Sequence, residues 1–179
     1  MIHLRPATVT RLRDRLKQVG ARPSVVISSD NGILARAGLL PPEEQAAVRA
    51  VAPAVEAMYI MMAADGHVGE EERSVIRGAV REVTDSAVRN PTLEVLLDSC
   101  QEALEWDGQE ARIQNVGTLL REDTASAENA FVLAAVVAFA DEVIADEENE
   151  VLNALADALG ISEERANELL DELEHDWNE

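Results

Sequence analysis

Two stretches of the chain carry carboxylates at a spacing that suits hard cations: "AADGHVGEEER" at 63–73 and "AFADEVIADEENEVL" at 138–152. An EF-hand calcium loop takes ligands from positions 1, 3, 5, 7, 9 and 12 and has glycine at position 6. With Asp65 at the fifth place, Gly66 falls at the sixth and Glu72 at the twelfth. Asp141 and Glu148 hold the fifth and twelfth places of the second stretch. The first and third places are Met61 and Ala63 in one stretch and Val137 and Phe139 in the other, and these side chains cannot ligate. Neither stretch is a complete EF-hand. Each supplies half a site, and Asp65, Glu72, Asp141 and Glu148 are the candidate ligands, with calcium or magnesium the matching metals.

Asp65 and Asp141 each follow a long apolar run of helical character, where a negative charge opposes the helix dipole at a cost of roughly 0.3–1 kcal/mol. Two readings stand. Each aspartate caps the turn that follows it, or a cation shared between the two stretches compensates both charges.

The elements that must position these residues are helical. Met58–Met62 is apolar on every side, the mark of a central buried helix, and Ala127–Ala140 reads as a second central apolar helix. Glu70–Val83 places Val75, Ile76, Ala79, Val80 and Val83 on one face. Further helices are expected over about 92–106, on to about Arg121, over Glu147–Leu159 ending at Gly160, and from Ser162 to about Trp177. Ser126 is the expected N-cap of the second apolar helix. Trp106 and Trp177 read as helix-end anchors. Pro53 is expected to kink or restart its helix. Ahead of the prolines in "LLPPEEQ" (39–45), residues 7–19 set Val9, Leu12, Leu16 and Val19 on one helical face. "SVVISSDNGILARAG" then carries the Asn-Gly signal of a hairpin. The domain reading is a basic N-terminal appendage over 1–40 and a helical domain over 41–179.

The chain also repeats itself. A shift of 76 residues lays Ala54–Val83 on Ala130–Leu159 without gaps. Ala64-Asp65 then meets Ala140-Asp141, and Glu70-Glu71-Glu72 meets Asp146-Glu147-Glu148. Each copy is an apolar helix, a turn beginning with Asp, and an acidic helix start. The fold class expected is all-α, with two pseudo-repeated helical hairpins at its centre.

"MAADGHVGEEERSVI" and "AFADEVIADEENEVL" resemble the turn of TerB-like domains, the family of tellurite-resistance protein TerB, and the resemblance covers about residues 43–175. It implies an all-helical fold with two related halves, acidic residues gathered on one face and a divalent-cation site. The positions that match the family's motif are Asp65, Glu72, Asp141 and Glu148. Two positions depart from it: His67 stands where the family often has an acid, and Glu142 where glycine is expected.

Charge and composition narrow the function. The net charge is −20. Residues 1–40 hold seven basic groups against two acids, +5, so the remainder carries −25. Such a field repels nucleic acid and anionic lipid and attracts cations and basic partners. The appendage is expected to fold back on the acidic domain or to bridge to a second copy. The longest wholly apolar stretch, Ala130–Ala140, is eleven residues and too short to span a bilayer. Cys100 is the one cysteine and reads as a small buried side chain. His3, His67 and His175 have no zinc-ligand spacing, and no phosphate loop or nucleophile elbow is present. Taken with the resemblance, which implies the stress-associated role, the sequence reads as a cytoplasmic, non-enzymatic module that binds a divalent cation. The alternative is an acidic protein–protein adaptor without metal. In either case the partner is a protein with a basic surface, with self-association left open.

Overall fold

The computed structural model describes residues 40–66, 68–140 and 146–178. The expected first helix and hairpin lie outside the described residues, as do His67, Asp141 and Glu142. The described residues form seven helices and no strand: α1 (Pro42–Met62), α2 (Glu70–Val83), α3 (Asn90–Asp107), α4 (Gln109–Leu120), α5 (Thr124–Ala138), α6 (Asp146–Leu159) and α7 (Glu163–Asn178). No described helix is long and apolar enough to cross a membrane.

α1 and α5 are the centre. Every residue from Val51 to Met62 is buried, and so is all of Ser126–Ala138 except the half-buried Val132. The two helices pack on one another more extensively than any other pair. Small residues on both (Ala54, Ala57, Ala130, Ala134) leave room for this approach. α2 and α6 each touch both central helices, α3 packs on α1, α7 packs on α5, and α4 fills the space between α1 and α6.

Helix boundaries repeat at the spacing seen in the sequence. The 76-residue shift carries the end of α1 at Met62 onto the end of α5 at Ala138, and the whole of α2 onto the whole of α6. The hydrogen bonds that close the two central helices repeat as well. Ala63 N–H donates to Tyr59 C=O and Ala64 N–H to Met61 C=O, each at 3.0 Å. In the second copy Phe139 N–H donates to Ala135 C=O at 2.9 Å and Ala140 N–H to Val137 C=O at 3.1 Å.

Three local expectations change. α1 runs unbroken through Pro53, which is buried within it; packing on all sides holds the helix although the ring removes one backbone donor. α5 begins at Thr124, and its N-cap is Asp123, whose Oδ1 accepts the Ser126 N–H at 3.3 Å. Asp123 is the stronger acceptor at a helix N-terminus, because its charge also suits the dipole. Trp106 anchors nothing: it is 91 % exposed. Cys100 is buried as expected. Burial, then the charge of Glu56, push its thiol well above the ordinary range, against the opposing pull of Arg112.

The outer helices are fastened by ion pairs. Arg73 and Arg77 on α2 both reach Glu94 on α3, at 3.4 and 2.5 Å. Buried Glu44 on α1 accepts from the Arg89 backbone at 3.1 Å, the Arg89 guanidinium at 2.7 Å and Thr92 Oγ1 at 2.6 Å. In the other half, Arg165 on α7 grips buried Glu128 on α5 through Nε at 2.8 Å and Nη2 at 3.1 Å.

Candidate functional site

Copy one of the acidic motif follows α1 directly. After Ala63 and Ala64 the chain turns at Gly66, whose φ of +81° is a conformation that favours glycine. Asp65 is exposed in this turn. The backbone then extends to Gly69, the N-cap of α2. Glu72, at the third helical position, reaches back so that its Oε2 accepts the Gly69 N–H. This is the carboxylate half of a capping box. Glu72 is thus committed to helix initiation through one oxygen, and a carboxylate used in this way retains the other.

In copy two the described residues resume at Asp146, where α6 begins with Asp146, Glu147 and Glu148 in its first turn. Three acids there suit the positive end of the helix dipole. Glu148 is half-buried. Among the described residues, no group of three or more His, Cys, Asp or Glu side chains lies close enough to hold a metal ion. Asp65, Glu72 and Glu148 therefore do not form a three-ligand group on their own, and Asp141 lies outside the described residues.

The structure places these motifs beside a cleft of about 450 Å³ between α4 and α6. The two helices come closest to one another at one end of it. A Cβ built on Gly117 of α4 would lie 2.4 Å from the Ala158 carbonyl oxygen of α6, so the two backbones touch there. Every lining residue on α4 precedes Gly117, and every one on α6 precedes Ala158. The helices therefore diverge from that contact toward their N-termini, and the cleft is the space they leave. Ala64, Ile113, Val151 and Ala154 supply its apolar lining, and Glu110, Glu147, Glu150 and Asp157 its charge. Among the described residues, no lysine, arginine or histidine lines it. Ala64 precedes Asp65 and Glu147 precedes Glu148, so the turn of copy one and the opening of α6 border the same space.

A second polar feature lies inside the bundle. Glu56 on α1 and Arg112 on α4 are both 2 % exposed. Arg112 Nε donates to Glu56 Oε1 at 2.7 Å, Nη2 donates to the same oxygen, and Nη1 donates to Asp107 Oδ2 at 3.0 Å. Near the start of α5, Ser126 Oγ and both polar atoms of the Asn129 amide are buried and have no hydrogen-bond partner among the described residues. The cleft and the buried pair were not anticipated from sequence. One signal was present for the pair, since Glu56 is the one charged residue within the apolar run Val51–Met62. For the cleft the signal was Gly117 inside a helical pattern, where a glycine points to close backbone approach.

Comparison with known families agrees with the geometry. The family model described as Tellurite resistance protein TerB matches residues 52–171, which take in both acidic motifs and all of α2 to α6. The chain belongs to this family. No curated relative and no solved structure matches the chain significantly.

Proposed function

We propose that this protein is a non-enzymatic module of the tellurite-resistance and stress-response type that binds a divalent cation through its two acidic motifs. One observation carries the reading. Ala64, next to Asp65, and Glu147, next to Glu148, line one cleft, so residues from opposite halves of the repeat are neighbours. The donor chemistry supports it: carboxylates without cysteine or a histidine pair suit calcium or magnesium. The ligands proposed are Asp65, Glu72, Asp141 and Glu148. Binding to the folded state alone raises the melting temperature by mass action.

The test is thermal unfolding with millimolar calcium or magnesium. The wild-type chain is expected to gain stability, and Asp65→Asn with Asp141→Asn to lose that gain without being less stable when metal-free. A wild-type melting temperature indifferent to both cations defeats the cation reading.

The cleft also favours a second reading, that of an adaptor for a partner with a basic surface. Four carboxylates over an apolar lining suit a chain that presents arginine or lysine beside aliphatic side chains. An arginine-rich peptide should bind the wild-type protein and fail to bind Glu147→Gln/Glu150→Gln.

A further inference from the structure

We propose that the acid-lined cleft between α4 and α6 is the docking site of the chain's own basic segment, residues 7–19, which occupies it in cis. This deepens the second reading above by naming an occupant, and the two can fail separately.

The match is one of pattern as well as charge. On a helix of 100° per residue, Val9, Leu12, Leu16 and Val19 form one stripe. Arg11 and Arg15 border it on one side, and Arg13 and Lys17 on the other. The cleft is the complement: an apolar lining, with Glu110 on the α4 wall and Glu147, Glu150 and Asp157 on the α6 wall. A helix laid in the gap with its apolar stripe inward therefore meets carboxylates along both flanks. The segment lies in a region of complementary sign: residues 1–40 carry +5 and the remainder −25.

Reach permits it. The cleft lies at the Ala64 end of α1, and the segment joins α1 at the opposite end. α1 is 21 residues long, or about 31 Å at 1.5 Å per residue. The connection from Gly20 to Pro41 can span up to about 70 Å when extended, roughly twice what is needed. A tether of that length also holds the segment near the cleft at an effective concentration in the millimolar range. An outside basic partner must then compete with it.

The chain offers a direct test, because Lys17 is its one lysine. A carbodiimide joins an amine to a carboxylate only when the two are in contact. The full-length protein is treated at low concentration in metal-free buffer, and the monomer is digested and its crosslinks mapped by mass spectrometry. The expected result is intramolecular amide bonds from Lys17 to Glu110, Glu147, Glu150 or Asp157, in clear excess over the other acids. They should fall several-fold at about 1 M salt, where the screening length shrinks to about 3 Å. In Glu147→Gln/Glu150→Gln the remaining cleft crosslinks should weaken several-fold too. Crosslinks scattered over the acidic surface, found only between chains, or missing altogether overturn the proposal. If Lys17 does not link to the cleft but an added arginine-rich peptide still needs Glu147 and Glu150, the adaptor reading survives and the internal occupant does not.

Discussion

Arg112 and Glu56 hold α4 against α1 through a charge pair sealed from water, each side chain 2 % exposed. Taking two charges out of water is costly, and removing one partner leaves the other charged and unpaired. Glu56→Gln and Arg112→Met are each expected to lower unfolding free energy by about 3–5 kcal/mol. The combined Glu56→Leu/Arg112→Met protein should lose less than the sum of the two single losses. Urea denaturation of the set measures this, and strictly additive losses would show that the two side chains do not act as a pair.

Gly117 tests the contact that creates the cleft. Alanine there must displace the Ala158 backbone, an overpacking cost of about 1–3 kcal/mol. This outweighs the roughly 1 kcal/mol that alanine returns in helix propensity. Gly78 on α2 is the control, because a Cβ built on it meets nothing within 4 Å. Gly78→Ala should therefore stabilise and Gly117→Ala destabilise, as read from the midpoints of chemical denaturation.

Glu44 gives the fold an acid-sensitive fastening. Burial alone raises its pKa, but hydrogen bonds from Thr92 and from the Arg89 backbone and guanidinium, with the Arg89 charge, outweigh that and hold it below the ordinary 4.5. A carboxylate depressed on folding contributes stability above its unfolded pKa and loses it as pH falls through the folded value. Glu44→Gln should cost about 1–3 kcal/mol at neutral pH. The gap between mutant and wild type should close as pH drops below 4.5. A gap that is constant with pH would show that ionisation of Glu44 contributes nothing.

Asn129 should be improvable. Its amide is buried with neither polar atom bonded, a state that costs about 1–3 kcal/mol. Asn129→Leu keeps a similar volume and removes the unmet groups, so its unfolding midpoint should rise. A midpoint that falls would mean that the amide has a partner such as a buried water.

The elements and their repeat were legible in the sequence for a physical reason. Met58–Met62 and Ala130–Ala140 are apolar on every side, and only a helix at the centre of a bundle tolerates that. The turn after α1 was legible because it is a local event governed by its neighbours, Gly66 above all. What could not be read was any feature that depends on which helices meet. Pro53 was read as a kink or a restart because its cost is local, whereas the burial that holds the helix through it is tertiary. Glu56 stood out as an odd charge, yet its partner is 56 positions away. Trp106 was read as a helix-end anchor, but its ring is exposed. The cleft depends on how α4, which lies outside the repeat, meets α6 near Gly117.

The two closing turns share their hydrogen bonds at a fixed spacing, so the molecule carries its own control. Whatever temperature, buffer or protein concentration does to the Ala64 amide, it does at the same moment to the Ala140 amide, in a matched backbone and the same tube. Hydrogen exchange at these two positions can be read as a ratio, from which the common conditions cancel. What remains is the contribution of the sequence that differs between the copies. A cation, a partner or a substitution that acts on one half alone will appear as a change in that ratio, with no second preparation needed for reference.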